Sequence, residues 1–500
     1  MFIFEQLAEH AKLQPEKVIT SYQGRNTTYS EFYQQAKNLA GYFQARGYKK
    51  DDIIAVYLQN SDYFLVCYYA CQIGGFTVLP VNIKLAAPET EYILYYSKPK
   101  AIIYDDRFHE FLHQLDTTLE KIEDHVVVGG EKWLSIVAND SLSFHQPEVD
   151  QDDTAVIFYT SGTTGKPKGV MLSAGNVRSV AQIWSEAMEM TSDDRTHIVT
   201  PLFHCAAIHC FTTPTILRGG SVVIEEAFSP EQTLHTMEKE NVTIFFGVPA
   251  IYSILLNTSK MGEMDLSHLR LFAYGAAPMP YELVKKIKAL YPNVKVQNLY
   301  GQTENSPGAT TLKDKYALDK IGSVGEPLPQ TQVQVVDEFG DKLPTRQVGE
   351  IVVKGPQVMK GYLRNEEATR HAIKNGWLYS GDLGFFDEDG LLYIVDRKKD
   401  MIIRGGENVY PVEVEEVLYE IPEILEAAVV GIPHEVYGEV PKAFIVLKKG
   451  QPFTEEDVIT YCNQKLAKYK LPVEVVFLDT LPRNASGKVL KQTLREKKRV

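Results

Sequence analysis

The sequence is poor in cysteine and has no CxxC pair. Its five cysteines are Cys67, Cys71, Cys205, Cys210 and Cys462. A small, odd number without CxxC spacing disfavours a disulfide framework and a cysteine-bound metal. It is typical of buried core thiols in a reducing compartment.

The chain also lacks a net positive charge and long apolar runs. The formal net charge is −13 at pH 7, which argues against nucleic acid or an anionic membrane held by bulk electrostatics. Residues 1–6 contain an acidic residue, Glu5, and no basic one. We therefore expect no signal peptide. The longest apolar run, Tyr63 to Ile73, is shorter than the about 20 residues that span a bilayer. We therefore expect a cytoplasmic protein, in which the basic stretch 491–499 permits at most weak peripheral membrane contact.

Internal repeats of solenoid length and low-complexity segments are absent, and 500 residues are too many for one core. Short β-branched strands alternate with helical patterns through residues 52–104 and 154–299, which predicts parallel sheets covered by helices. One of these predicted strands is His197–Leu202, and one of the predicted helices is Tyr281–Leu290. Thr28-x-x-Glu31 has the spacing of a capping box at the start of another helix. From about Ile321, short strands with frequent Gly and Pro indicate a small antiparallel β region.

The expected fold class is α/β. A large N-terminal domain, 1–397, would contain two doubly wound sheets (about 1–150 and 151–320) and a small β-barrel-like subdomain (321–397). A small, mobile α+β C-terminal domain would follow over 398–500. The oligomeric state stays open, with a homodimer among the options.

The most informative stretch is Tyr159–Val170, which follows a short apolar strand and combines hydroxyls, glycines and two lysines. Backbone N–H groups, hydroxyl donors and ammonium charges together suit a polyphosphate. The spacing is not that of a Walker A loop, because two residues separate Gly162 from Gly165 and Pro167 follows Lys166. A solvated turn is the alternative interpretation, and the two lysines make it the weaker one.

Four further clusters combine polar side chains with glycine turns: Asn298–Glu304, Tyr379–Leu383, Lys399–Asn408 and Pro482–Val489. A carboxylate such as Glu304 at a strand end suits Mg²⁺ that is also bound to phosphate oxygens. A single acid after a glycine turn, Asp382, is the residue type that binds ribose hydroxyls. Each cluster alone also fits a helix cap, an Asx turn, a hairpin or a solvated lysine. Their joint occurrence in this order favours a nucleotide site.

With these motifs in this order, the chain resembles the adenylate-forming family of acyl- and aryl-CoA synthetases, luciferases and peptide-synthetase adenylation domains. The resemblance runs from Gly74-Gly75 to Lys488, essentially the whole length. The stretches Lys354–Tyr362 and Asp396–Glu416 are most similar to bacterial long-chain fatty acid–CoA ligases. The resemblance implies ATP and CoA as co-substrates, Mg²⁺ as the metal, and a fatty acid or related carboxylic acid as substrate.

The resemblance also implies a role for each motif. The phosphate loop corresponds to Thr160, Ser161, Gly162, Thr163, Thr164, Gly165, Lys166 and Lys168. The adenine site corresponds to Gly275, Ala276, Ala277 and Pro278 with Tyr300 and Gly301. Asp382 and Arg397 correspond to the ribose site, and Arg404, Gly405 and Gly406 to a segment presented to CoA. The catalytic group comprises Thr303 at the α-phosphate, Glu304 at Mg²⁺, Lys488 between carboxylate and α-phosphate, and His204 as a gate beside the carboxylate.

The family's reaction has two steps. The acid's carboxylate attacks the α-phosphate of ATP and releases pyrophosphate, and a thiol then attacks the acyl carbon of the adenylate. The family rotates its C-terminal domain between the steps, near the position of Lys399, where many relatives have Asp.

Several alternatives remain open from the sequence. Medium- or long-chain fatty acids are favoured as substrates, and an aryl or other carboxylic acid is the rival. Acyl loading onto a carrier-protein phosphopantetheine is a further alternative to CoA. A buried structural role is the alternative for His204. A non-catalytic nucleotide-binding scaffold is disfavoured because the motifs are intact.

Overall fold

The computed structural model describes residues 1–115, 118, 121–160, 166–258, 260–448, 453–483 and 489–496. The chain divides into two compact units. The first comprises Met1–Val333 with Val352–Tyr379, and the second comprises Gln334–Ile351 with Ser380–Val500. Strands Gln332–Val336, Gly349–Lys354 and Trp377–Phe386 each contain residues of both units. The predicted bounds at 150, 320 and 398 stay predictions.

The first sheet of the first unit is parallel from Thr154–Thr160 to its edge strand Asp124–Val127 and antiparallel at its other end. Thr77–Pro80 pairs in parallel with Ile53–Tyr57 and Thr154–Thr160, whereas Lys168–Ser173 is antiparallel to Thr154–Thr160. In spatial order its strands are Gly361–Tyr362, Lys168–Ser173, Thr154–Thr160, Thr77–Pro80, Ile53–Tyr57, Ala101–Tyr104 and Asp124–Val127. The phosphate loop therefore joins two antiparallel strands.

The second sheet is parallel in its middle, and the strands on either side of that part within this unit pair antiparallel. Its strands within this unit, in spatial order, are Ser323–Pro327, Thr310–Leu312, Lys295–Tyr300, Leu271–Gly275, Ile244–Gly247, Arg195–Ile198, Ser221–Ile224, Val18–Tyr22 and Arg25–Thr28. The predicted strand His197–Leu202 is wrong in its second half, because the strand ends at Ile198 and residues 199–204 form a loop. Strand Val18–Tyr22 joins this sheet by pairing in parallel with Ser221–Ile224, about 200 residues further along the chain.

Helices cover both sheets. Helix Asp62–Gly74 begins where the Ser61 hydroxyl accepts the N–H of Phe64, and it ends at Gly75, whose φ is 69°. Nearly all its residues are buried, so it carries no polar face. The helices of the unit are Ile3–Leu13, Tyr29–Ala45, Asp62–Gly74, Ala87–Ser97, His109–His113, Glu131–Val137, Ala174–Ala187, Thr213–Leu217, Pro230–Lys239, Pro249–Leu256, Tyr281–Leu290 and Glu366–Ala372, with a π-helix at Ala207–Thr212.

The second unit contains an antiparallel hairpin and a small sheet. The hairpin pairs Asp382–Phe386 with Leu392–Arg397. The sheet has the order Glu407–Val409, Ile402–Arg404, Gly438–Leu447 and Ile424–His434, with Glu474–Phe477 parallel to Gly438–Leu447. Its helices are Pro411–Tyr419, Glu455–Lys465 and Lys491–Glu496.

The mixed α/β fold class, with a large N-terminal part built on sheets and a small C-terminal part, is confirmed. All five cysteines are buried and none is in a disulfide. In the part of the chain that the structure describes, no helix combines the length and apolar character needed to cross a membrane.

Candidate active site

The residues that flank the phosphate loop lie next to each other on adjacent strands. Thr160 is the register partner of Lys168 at the ends of two antiparallel strands. The ammonium of Lys166 lies 5.5 Å from the centre of the Tyr92 ring. The ammonium of Lys168 lies 5.0 Å from the centre of the Tyr362 ring. The remaining loop residues predicted for phosphate, Ser161, Gly162, Thr163, Thr164 and Gly165, lie outside the described residues.

Glu304 is half-buried in a single 3₁₀ turn, Thr303–Asn305. The backbone N–H of Met359 donates to the Glu304 carbonyl at 2.9 Å, which ties this turn to the segment before Tyr362. One carboxylate oxygen of Glu304 accepts the Tyr362 hydroxyl at 3.0 Å. A carboxylate offers about four lone-pair positions, so this bond leaves acceptor capacity. A hard oxygen ligand of this kind fits Mg²⁺.

The predicted adenine segment lies beside this turn because it ends a neighbouring strand. Gly275 ends its strand opposite Leu299, and a Cβ on Gly275 would lie 2.5 Å from the Leu299 carbonyl oxygen. Only glycine allows this approach. Ala276 follows with φ +66°, a conformation that costs free energy in a residue with a Cβ. Residues 275–278 and Tyr300–Glu304 thus meet at the carboxyl edge of two parallel strands, where such sheets bind ligands.

Gly301 allows a second close approach. A Cβ at Gly301 would lie 2.4 Å from the Pro307 carbonyl oxygen, so the chain turns back on itself directly after Tyr300. Cys210, on the π-helix, donates its thiol to the same Pro307 carbonyl at 3.8 Å. The segment after His204 therefore packs against the segment that carries Glu304.

His204 is half-buried, and its ring centre lies 4.8 Å from that of Phe203. Burial, together with a smaller effect of the Lys84 charge, lowers the pKa of His204 to about 4. The imidazole is therefore neutral at pH 7, because a lowered histidine pKa leaves the ring uncharged above that value. A neutral ring donates or accepts hydrogen bonds without forming an ion pair with a carboxylate.

Asn60 was not predicted as a site residue, yet it holds the loop that carries His204. Its side-chain oxygen accepts the Leu202 N–H at 2.7 Å. Its amide nitrogen donates to the carbonyls of Thr200, at 2.9 Å, and Glu225, at 3.1 Å. Asn60 is only 3% exposed. The loop before His204 is thus fixed to the end of a strand from the other sheet.

His209 was also missed, and it lies fully buried on the π-helix. Its Nε2 is 2.9 Å from the Tyr68 hydroxyl and its Nδ1 is 3.4 Å from the Cys205 sulfur. Burial lowers the pKa of His209 to about 3. Single-turn π insertions are frequent at functional sites, and nothing in the local sequence periodicity marks this one.

In the second unit, the predicted ribose pair is in contact. Asp382 and Arg397 are register partners, and the Arg397 Nε is 2.7 Å from an Asp382 carboxylate oxygen. The Asp382 N–H donates to Ser380 Oγ at 3.0 Å. Asp382 is only 4% exposed, so the pair is held firmly.

The predicted CoA segment forms a tight hairpin. Arg404 pairs with Glu407 across Gly405 and Gly406, whose φ values are +59° and +92°. The Arg404 guanidinium donates to the carbonyls of Tyr469 and Leu471 and lies 5.3 Å from the Tyr437 ring centre. Lys488 lies outside the described residues.

Comparison with known proteins identifies the family. Residues 7–363 match the family described as "AMP-binding enzyme", and residues 413–488 match "AMP-binding enzyme C-terminal domain". A feruloyl-CoA synthase of an Amycolatopsis species is 36% identical over 97% of both chains. The long-chain fatty acid–CoA ligase FadD13 of Mycobacterium tuberculosis is 35% identical over 94% of this chain and 92% of its own.

A solved structure supports the same assignment. The O-succinylbenzoate CoA synthetase of Bacillus subtilis, in complex with ATP and magnesium, superposes with a TM-score of 0.88 at 32% identity and covers 98% of this chain and 99% of its own. The chain therefore belongs to the adenylate-forming family of AMP-binding enzymes. Within that family it is an ATP-dependent acid–CoA ligase. Such ligases use ATP, Mg²⁺ and CoA.

Proposed function

We propose that the protein converts a medium- or long-chain fatty acid to its acyl-adenylate and then to the CoA thioester. The observation that carries the proposal is the chemistry of residues 205–213, directly after His204. All are buried except Ala206, which is half-buried, and none is charged, since His209 is neutral above about pH 3. An apolar acyl chain suits such surroundings.

The same region supports a monocarboxylic acid over a dicarboxylic one. In the described part of the first unit, no lysine or arginine is buried. A second carboxylate inside an acyl pocket requires a partner, because an unpaired buried charge is costly. None of residues 205–213 carries a cation that could serve as this partner.

The first step places negative charge on the leaving pyrophosphate. Lys166 and Lys168, beside the loop, are the residues we assign to the β- and γ-phosphates. Glu304 would hold Mg²⁺, which supplies further neutralisation of phosphate charge when bound. Lys488 is assigned to the α-phosphate and the attacking carboxylate, where positioned donors stabilise developing charge.

The second step breaks the bond between acyl carbon and AMP as the thiol sulfur attacks. We assign His204 to the entrance beside the acyl carbon, and Asp382 with Arg397 to the ribose. Neutral His204 does not bind the acid carboxylate as an ion pair, so it does not hold the ground state by charge. The ion pair with Arg397 holds the Asp382 carboxylate in one orientation.

A second candidate is an aryl acid, supported by the similarity to feruloyl-CoA synthase at an identity close to that of FadD13. The test is pyrophosphate release from ATP with C8–C18 fatty acids, ferulic and cinnamic acids, and a dicarboxylic acid. We expect fatty acids to give the highest kcat/KM. A flat response across C8–C18 with a strong response to ferulate transfers the assignment to aryl acids. Competition between CoA and a carrier-protein phosphopantetheine then identifies the acceptor.

A further inference from the structure

Tyr362 lies between two groups of opposite charge that serve different parts of ATP. Its ring centre is 5.0 Å from the Lys168 ammonium. Its hydroxyl donates to a Glu304 carboxylate oxygen at 3.0 Å. One side chain therefore contacts both the loop lysine and the carboxylate assigned to Mg²⁺.

The tyrosine is held in place from several directions. It is 9% exposed. Its strand pairs antiparallel with the strand that starts at Lys168, with Tyr362 opposite Val170. Its backbone N–H donates to Thr369 Oγ1 at 2.9 Å. A side chain fixed in this way transmits its own position to the groups it contacts.

The contacts use different parts of the tyrosine. The ring face attracts the ammonium through its quadrupole. The hydroxyl hydrogen binds the carboxylate in a charge-assisted hydrogen bond. A tyrosine hydroxyl is protonated at neutral pH, so it remains a donor there.

The arrangement keeps Lys168 and Glu304 from neutralising each other. Within the residues that the structure describes, no ion pair joins them. A direct lysine–carboxylate contact would remove the cation from the phosphates and the anion from Mg²⁺. An intervening aromatic ring leaves each group its charge while fixing its direction.

We propose that Tyr362 is a positioning residue that orients the Glu304 carboxylate toward Mg²⁺ and the Lys168 ammonium toward the phosphates of ATP. The inference rests on the proposed assignment of these two groups. It adds a residue from the segment Gly361–Tyr362, to which the sequence motifs attach no chemical role.

The test separates the contacts with two substitutions. ATP binding is measured by calorimetry without any acid, first in EDTA and then across a MgCl₂ series. Tyr362→Phe keeps the ring and removes the hydroxyl. We expect unchanged ATP affinity in EDTA and about a tenfold higher Mg²⁺ concentration for half of the Mg²⁺-dependent gain, as for other partners of metal ligands. Tyr362→Leu removes the ring as well, and we expect ATP affinity in EDTA to fall about 2- to 30-fold.

Tyr96→Phe is the matched control. It removes a hydroxyl that donates to the carbonyl of Arg364, a residue close to Tyr362 in the chain. The acceptor of this hydroxyl is a carbonyl and not a carboxylate. We expect wild-type binding from it. An unchanged Mg²⁺ requirement in Tyr362→Phe overturns the inference. A loss of ATP affinity in this variant that is equal with and without Mg²⁺ overturns it as well. Because no acid is present, this result is independent of which acid the enzyme activates.

A double-mutant cycle guards against a general folding defect. Glu304→Gln keeps an acceptor for the hydroxyl but removes the charge that attracts Mg²⁺. We expect Tyr362→Phe to add no further change in the Mg²⁺ requirement once Glu304 is replaced, because groups that act together are not additive. Changes in the Mg²⁺ requirement that add fully in the double variant would contradict the inference that Tyr362 acts through Glu304.

Discussion

Replacing Asn60 by alanine removes the clamp on the loop that carries His204. The lost groups are three buried hydrogen bonds, to Leu202 N–H and to the carbonyls of Thr200 and Glu225. At about 1 kcal/mol for each bond, the loss of stability is about 3 kcal/mol. Leu202 lies two residues before His204, so the loop loses its fixed position beside the assigned acyl carbon. A displacement of about 1 Å at a reacting centre lowers rates on the order of 10²-fold.

Asn38 provides a matched control in the same unit. It is also 3% exposed and makes three side-chain hydrogen bonds, with Gln34, Val137 and Asp140. Asn38→Ala should therefore lower the unfolding temperature about as much as Asn60→Ala. The comparison uses the order of melting temperatures, because a chain of two units need not unfold in one step.

The kinetics distinguish the two variants. We expect Asn60→Ala to lower kcat/KM for the acid about 10- to 100-fold and to leave the KM for ATP unchanged. Asn38→Ala should leave both unchanged at a temperature where it is folded. The assay is pyrophosphate release with the preferred acid at saturating ATP, then at varied ATP. Equal losses of kcat/KM in the two variants would refute a role of Asn60 in positioning the loop. A loss in Asn60→Ala that is the same for ATP as for the acid would refute it as well.

Two further outcomes follow from the site. Lys488→Ala should reduce adenylate formation by orders of magnitude, while thioester formation from supplied acyl-adenylate largely survives, as separate assays of the two half-reactions measure; equal loss of both contradicts the assignment of Lys488 to the first step. His204→Gln should leave the shape of the pH profile of kcat/KM unchanged between pH 5.5 and 8, because the pKa of His204 is about 4 and the ring is already neutral across that range. A wild-type inflection near pH 6.5 that disappears in the variant would show that His204 titrates there instead.

Local sequence patterns predicted much of the secondary structure. The Thr28-x-x-Glu31 pattern predicted a capping box, and the structure has both of its hydrogen bonds. The predicted helix Tyr281–Leu290 is observed with those bounds. The strand Lys168–Ser173 was not predicted, because glycine and proline dominate the residues before it. The capping box and the helix depend on interactions within a few residues of the chain, whereas the missed strand also pairs with Gly361–Tyr362, far along the chain.

The sequence by itself determined the motifs and their order, and hence the family, because each motif is a short run whose residues act together. It predicted Lys168 and Glu304 as separate elements of a nucleotide site. The tertiary structure decided which side chains connect them. Tyr362 and Glu304 are 58 residues apart, and Asn60 and Leu202 are 142 apart. Contacts across such separations leave no periodic or compositional trace in one sequence, since they arise only when strands of different segments pair and their ends meet.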